Sequence, residues 1–99
     1  MSDQYFINRQ NKLRELLANN NLDGMLVTNL IHIQYLCGFT GSSGSLVLTH
    51  NSCDFITDGR YTVQSKNEVK GAKTTISSNP HLNVVKKNNF TYHQKPKTN

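Results

Sequence analysis

The sequence predicts an α/β domain in which helices flank a mixed β-sheet, and three observations support this class. Apolar runs of strand length alternate with segments of helical periodicity, in the order α-β-α-β-β-α-β. Clusters of Gly, Asn and Asp separate these segments, as is typical of turns. Finally, the runs at 45–49 and 53–57 lie too close together for a parallel crossover, which predicts that they pair as an antiparallel hairpin.

The first half of the chain predicts two helices and a strand. Residues 4–20 have the periodicity of an amphipathic helix, which Ser2 or Asp3 caps and a run of three Asn residues ends. The apolar run 25–28 predicts a strand that is covered on both faces. Asn29 is a good N-cap for a short helix that ends at Leu36. The positions expected to face the core are Phe6, Leu13, Leu16 and Leu17 in the first helix, and Leu30, Ile33 and Leu36 in the second.

The second half predicts the remaining sheet. A loop at 41–44 leads into the hairpin described above, whose turn is 50–52. A turn at 58–60 then opens a helix at 61–69, which Gly71 closes, and residues 73–77 read as a fourth strand. Asn79 and Pro80 open a weak helix with Leu82 and Val85 on one side, and the pattern fades after Lys87. We therefore expect one domain at 1–80, followed at 81–99 by an incomplete or poorly ordered extension.

Composition excludes several classes of protein. The longest apolar runs are about four residues, against roughly 20 for a membrane span, and the first residues lack the basic and apolar parts of a secretory signal. The two cysteines form no disulfide framework, which favours a reduced, cytoplasmic setting. The formal net charge of +5 comes from lysines in the last third of the chain. These lysines are scattered, without Arg or an aromatic stacking pattern, so nucleic-acid binding is not predicted.

Two polar turn clusters, at 38–44 and 58–61, follow apolar segments at predicted element ends, where α/β proteins place ligand contacts. The first cluster, Gly-Phe-Thr-Gly-Ser-Ser-Gly, fits neither a P-loop, nor a dinucleotide fingerprint, nor a nucleophile elbow. No positioned base accompanies Ser42 or Ser43, so neither is predicted to be a nucleophile. We interpret the cluster as a tight loop whose backbone approaches something closely.

A metal site is not predicted, because His50 and Cys53 form one half-knuckle without a second pair. The other potential ligands are too few to complete a site: His32, Cys37, Asp54 and Asp58. Arg60 is the charged residue of greatest interest. It can direct its rigid fork of donors at a carbonyl or carboxylate of a ligand, or it can pair with Asp58 or Asp54 to hold the turn. The two roles are compatible.

Four segments resemble the N-terminal domain of Xaa-Pro aminopeptidases (aminopeptidase P), a group that includes prolidase and creatinase. They are residues 22–29, 33–44 and 57–61, and Gln64, and the resemblance extends from about residue 9 to 78. It implies that 1–80 is a creatinase/prolidase-type N-terminal domain with a ribonuclease-H-like mixed sheet. The family continues with another helix and strand, so the resemblance also implies truncation at the C-terminal end.

In this family the chemistry belongs to a separate C-terminal domain, where Asp, His and Glu ligands hold two metal ions, usually manganese. None of these ligands maps onto this chain, so the resemblance implies no catalytic residue, metal ligand or cofactor here. It implies that Arg60 faces bound peptide across the interdomain cleft, and that the partners are the missing catalytic domain, the peptide and other copies of the subunit. The alternative is a stand-alone binding or oligomerisation module without a peptidase role.

Overall fold

The structure is a computed structural model, and it describes residues 3–78 of the chain. Three α-helices and four strands alternate in the predicted order, and their ends differ from the expected ones by one or two residues. The elements are α1 Asp3–Asn19, β1 Gly24–Val27, α2 Leu30–Cys37, β2 Ser45–Thr49, β3 Cys53–Thr57, a 3₁₀ turn Gly59–Tyr61, α3 Thr62–Glu68 and β4 Lys73–Ile76.

The sheet is mixed, which confirms the predicted fold class. Its strand order is β1-β2-β3-β4, with antiparallel pairing in the first two ladders and parallel pairing between β3 and β4. The predicted hairpin is therefore confirmed, with Val47 opposite Asp54. The connection from β3 to β4 contains α3, as a parallel pair requires a crossover. The antiparallel pairing places the start of β2 and the end of β3 next to each other, at the end of the hairpin opposite its turn.

The main core lies between the helices and one face of the sheet. Leu17 and Ile33 from the helices pack there with Leu46 and Phe55 from the strands. A smaller cluster on alternate strand positions contains Val47 and Ile56, with Leu26 packed against it. Within the described part of the chain, this second cluster consists of strand residues alone. β1 is an edge strand and its two central residues are half-buried, so the expectation that it is covered on both faces is only partly met.

Two of the predicted core positions are wrong. Leu16 is 56% exposed, and Leu30 at the start of α2 is also exposed. The buried stripe of α1 contains Phe6, Gln10 and Leu17, which recur close to whole helical turns. Gln10 is 1% exposed, and its side-chain Nε2 donates a 3.0 Å hydrogen bond to the Leu36 carbonyl. A polar residue therefore occupies the core position because its amide caps a carbonyl of α2.

The expected weak helix from 79 and the extension 81–99 lie outside the described residues. Among the residues that are described, no helix is both long and apolar enough to cross a membrane.

Candidate functional site

The two polar turn clusters meet at one edge of the sheet. The loop 38–44 enters β2, and the turn 58–61 leaves β3, the antiparallel neighbour of β2. The hydroxyl of Thr57 donates a 2.6 Å hydrogen bond to the carbonyl of Ser43, which joins the loop to the end of β3. We call the surface formed by residues 38–44, 58–64 and 68 the rim. It is the candidate functional site.

Gly38 directs the chain out of α2 and into the rim. It has φ of 89°, in the left-handed region, and its N–H donates to the Gln34 carbonyl at 2.9 Å as the C-cap of the helix. A Cβ at this position would also lie 2.9 Å from the Glu68 carbonyl oxygen. Glycine is therefore required here both by the backbone conformation and by the closeness of α3.

Phe39 attaches the loop to the core. Its side chain is 1% exposed, and its ring centroid lies 4.5 Å from that of Phe55 and 5.3 Å from that of Tyr61. The Tyr61 ring meets it edge-on, at an interplanar angle of 88°. A Cβ at Gly41 would clash with the Phe39 ring, so the backbone folds directly over this aromatic side chain.

Tyr61 also holds the loop through its hydroxyl. The backbone N–H of Ser42 donates to that hydroxyl at 3.1 Å, and the two hydroxyls are hydrogen-bonded at 2.5 Å. These two bonds with Ser42 lower the pKa of Tyr61 below its usual value. Ser42 is thus engaged by a tyrosine rather than by a base that could activate it as a nucleophile.

Glu68, at the end of α3, provides a further attachment. Thr40 donates its backbone N–H to Oε1 at 2.8 Å and its hydroxyl to Oε2 at 2.9 Å. The side-chain amide of Gln64 also donates to Oε1, at 3.3 Å. Burial raises the pKa of Glu68, but the hydrogen bonds from Thr40 and Gln64 outweigh it, so the pKa lies below its usual value. The carboxylate is therefore held in its ionised form at neutral pH.

Arg60 lies at the outer part of the rim. Its side chain is 66% exposed, and it forms a two-pronged pair with Asp58. Nε donates to Oδ1 at 2.9 Å and Nη2 donates to Oδ2 at 2.8 Å, while the backbone N–H of Arg60 donates to Oδ1 at 3.0 Å. The side-chain bonds from Arg60 lower the pKa of Asp58 to about 2. Among the described residues Nη1 has no partner, so one edge of the guanidinium remains open.

Both interpretations of Arg60 offered by the sequence are therefore compatible with its geometry. The turn partner is Asp58 rather than Asp54. The pairing leaves the guanidinium in solvent, with the Tyr61 ring centroid 5.1 Å from Cζ. A group held by a carboxylate and an aromatic face has a fixed direction, as a binding residue needs.

The structure does not bring the potential metal ligands together. Within the described residues no group of three or more His, Cys, Asp or Glu side chains is placed to hold a metal ion. His50 lies at the other end of the hairpin, where Nε2 is 2.9 Å from the Leu22 carbonyl oxygen. Cys37 and Cys53 are buried, which raises the pKa values of their thiols to about 11 and about 12.

Sequence reasoning missed two residues that organise the rim, Tyr61 and Glu68. Tyr61 is part of the turn motif, yet no role was assigned to its hydroxyl. Glu68 is the only acidic residue in the lysine-rich last third of the chain, which was the available signal. Its partner Thr40 lies 28 residues earlier, a separation that no local pattern reveals.

Comparison with known proteins identifies relatives for most of the chain. Residues 9–92 match the family described as Creatinase/Prolidase N-terminal domain. The chain is 48% identical over 60 residues to YqhT of Bacillus subtilis, described as an uncharacterized peptidase. This alignment covers 61% of the chain but 17% of that peptidase, so the chain spans only a small part of the length of this relative.

Solved structures share the fold, and two of them serve as examples. A creatinase/prolidase-like N-terminal domain from Corynebacterium diphtheriae superposes with a TM-score of 0.76 at 37% identity, covering 81% of this chain and 65% of that one. The X-Pro aminopeptidase of Thermotoga maritima superposes with a TM-score of 0.70 at 30% identity, covering 80% of this chain and 23% of that one.

Proposed function

Since the chain belongs to the creatinase/prolidase N-terminal domain family, we propose that it is the non-catalytic N-terminal domain of a cytoplasmic Xaa-Pro aminopeptidase. Catalysis would belong to a separate C-terminal domain that would hold two manganese ions, and these ions would supply the activation of water for hydrolysis of the bond before proline. This chain would shape the substrate cleft and provide subunit contacts. The observation that carries the proposal is the rim. There the two motifs of the family resemblance, the loop 38–44 and the turn 57–61, are joined by hydrogen bonds into one surface.

Arg60 is the proposed substrate-binding residue. Its side chain is exposed, and Asp58 occupies Nε and Nη2, which leaves Nη1 without a hydrogen-bond partner among the described residues. A carbonyl or carboxylate of a peptide can accept a charge-assisted hydrogen bond from this open edge. Because Asp58 holds the other edge, little side-chain freedom is lost on binding.

The proposed partners are the C-terminal catalytic domain, the peptide and further copies of the subunit. Most of the large apolar side chains that are exposed among the described residues belong to α1 and α2, where Tyr35 adjoins both Leu16 and Ile31. Monomeric proteins rarely expose large contiguous apolar patches, so this surface supports a subunit contact. The exposed residues there are Tyr5, Leu16, Leu30, Ile31 and Tyr35. The same surface would serve the alternative function, a stand-alone binding or oligomerisation module.

A chimera tests the proposal. The chain replaces the matching N-terminal segment of the Thermotoga maritima X-Pro aminopeptidase, and hydrolysis of an Ala-Pro peptide is measured with Mn²⁺. We expect the chimera to be active, and Arg60→Ala to raise KM with little change in kcat, because a binding donor is lost while the metals are untouched. Lys66→Ala, an exposed cation on α3, is the matched control.

Equal kinetics for Arg60→Ala and Lys66→Ala would show that Arg60 does not bind substrate. An inactive chimera, together with a folded chain that self-associates in light scattering, would favour the stand-alone module.

A further inference from the structure

We propose that Glu68 is a positioning residue, whose carboxylate fixes the 38–44 loop against α3 so that the loop and Arg60 present one rigid surface. The inference rests on the proposed function in taking that surface to meet a peptide. Glu68 bonds to Thr40, and the ion-pair partner of Arg60 is Asp58. Glu68 acts through Thr40, and so through the loop.

The contacts of Glu68 differ in kind from the burial and the neutral hydrogen bonds that also hold the loop. The other carboxylate that binds the loop is that of Asp58, through the side chain of Ser43. Phe39 anchors the loop by burial, and the Tyr61 and Thr57 hydroxyls bind Ser42 and Ser43 through neutral hydrogen bonds. Glu68 instead binds both polar groups of Thr40, the backbone N–H and the hydroxyl, with two different carboxylate oxygens. Charge-assisted bonds are roughly twice as strong as neutral ones, and two of them fix direction as well as distance.

Thr40 depends on this carboxylate because it is exposed and is flanked by residues held elsewhere. Phe39 before it is buried in the core, and Ser42 beyond it is bound to Tyr61. The intervening backbone therefore has Glu68 as its point of attachment to α3. Gln64 braces the pair, since its amide lies 3.2 Å from the Thr40 hydroxyl and 3.3 Å from Glu68 Oε1.

The attachment depends on the charge of Glu68. A glutamine at this position keeps one amide oxygen as acceptor, but it carries no charge and has a donor NH₂ group where Oε2 accepts from the Thr40 hydroxyl, so it cannot reproduce the charge-assisted bonds. Lys66 and Lys70 are its neighbours on and just after α3, and neither forms an ion pair with it. From α2, the titratable group that faces it is the Cys37 thiol, whose pKa is raised to about 11.

The pH dependence follows from these bonds. Glu68 has a lower pKa in the folded chain than its ordinary value of 4.5, so the attachment is complete above that ordinary value. It weakens as the pH falls through the folded pKa, because the protonated carboxyl has no charge and one of its two oxygens becomes a donor.

The test is amide NMR on the full 99-residue chain, with Thr40 as the reporter. We expect the Thr40 amide shift to titrate with a midpoint below 4.5, and this titration to vanish in Glu68→Gln. In Glu68→Ala the Thr40 amide should exchange about tenfold faster or more, as loss of a hydrogen bond to a charged group implies. Amides of β2 and β3 should keep their exchange rates.

Two variants of Thr40 keep the test decisive if Glu68→Ala fails to fold. Thr40→Ser retains both donors and should behave as the parent chain does, whereas Thr40→Val loses the hydroxyl bond and should exchange faster. Glu15→Gln, an exposed acid on α1, is the control. A Thr40 shift that does not titrate, or that titrates equally in Glu68→Gln, would overturn the proposal.

A kinetic measurement separates this inference from the proposed function. In the active chimera, Glu68→Ala should raise KM by a factor of up to about ten, with kcat nearly unchanged. An unchanged KM, under conditions where Arg60→Ala raises it, would show that Glu68 is merely structural. An inactive chimera would count against the proposed function, while the NMR result would still decide whether Glu68 fixes the loop.

Discussion

One arginine lies at each end of the β2–β3 hairpin, and the two arginines bind different kinds of partner. At the end formed by the turn 50–52, Arg14 reaches over from α1. Its Nε donates to the Thr49 carbonyl at 2.7 Å and its Nη2 to the Ser52 carbonyl at 3.0 Å. At the rim, Arg60 binds a neighbouring carboxylate and remains in solvent.

The surroundings of the two arginines differ in the same sense. Around the turn 50–52, the Thr49 hydroxyl accepts the N–H groups of Asn51 and Ser52, and His50 is bonded to the Leu22 carbonyl. The polar side chains at this turn are therefore occupied by hydrogen bonds that hold the turn in place. At the rim the polar groups hold a loop in place and leave an open guanidinium edge. The two roles thus differ by the partner of the arginine. Arg14 binds backbone carbonyls and has a structural role, whereas Arg60 binds a local carboxylate and remains available to a ligand.

The largest expected effect tests whether the rim rests on the core. Phe39→Ala removes a buried ring packed against Phe55 and Tyr61, and it should reduce the free energy of unfolding by about 3–5 kcal/mol. Urea denaturation followed by circular dichroism measures the loss. Val63→Ala, an exposed apolar position on α3, is the control and should change little. A loss for Phe39→Ala no greater than that for the control would mean that the loop is not anchored in the core.

Arg14→Ala should produce the next largest loss, about 2 kcal/mol, because two carbonyls of the hairpin turn lose donors from a charged group. The same denaturation experiment applies, with the exposed Lys12→Ala as control. If Arg14→Ala were as stable as the control, the contrast between the two ends of the hairpin would fail.

The pairing of Asp58 gives a smaller, pH-dependent effect. Its pKa is lowered from 3.8 to about 2 by the side chain of Arg60. The pair therefore stabilises the fold fully above pH 3.8, and this contribution disappears as the pH falls through about 2. Carboxyl ¹³C NMR should show a midpoint near 2 for Asp58, shifted upward in Arg60→Ala. A midpoint near the ordinary value in the parent chain would refute the pairing.

Arg60→Ala should lower the urea midpoint of the isolated chain only slightly at neutral pH, because the Arg60 side chain is 66% exposed and exposed ion pairs contribute little to stability. The stability losses of Arg60→Ala and Arg14→Ala, measured in the same experiment, compare the two ends of the hairpin directly. A loss equal to that of Arg14→Ala would make Arg60 a structural residue.

The last prediction is that the isolated chain has no catalytic or metal-binding activity of its own. The chain alone should neither hydrolyse Xaa-Pro peptides nor bind Mn²⁺ stoichiometrically, because the described residues bring no set of ligands together. Calorimetric titration at neutral pH that revealed one or two tight sites would contradict this.

The fold was predictable from the sequence because its signals are local. Asn29 caps α2 with its side chain, Gly38 ends the helix in the left-handed conformation, and the short 50–52 turn dictates an antiparallel hairpin. The two turn clusters of the candidate site could be located from the sequence, whereas the hydrogen bonds between them could not. Asp54 and Asp58 are both possible partners of Arg60 in the sequence, and only the folded structure shows that Asp58 is the partner. The binding role of Arg60 stays a prediction.

The errors involve contacts between distant parts of the chain. Gln10 is buried because of a carbonyl 26 residues away, and Glu68 binds a loop 28 residues away. Periodicity assigns a polar residue to the surface by default and contains no information about such partners.

The two buried cysteines allow the opening of the core to be measured in the native chain. Cys37 ends α2 and Cys53 begins β3, and their high thiol pKa values leave almost no thiolate at neutral pH. A thiol reagent can therefore modify them only when the core opens, and the rate of modification reports the frequency of that opening without denaturant. Oxidants would be resisted in the same way, so oxidation of these two thiols would follow unfolding rather than cause it.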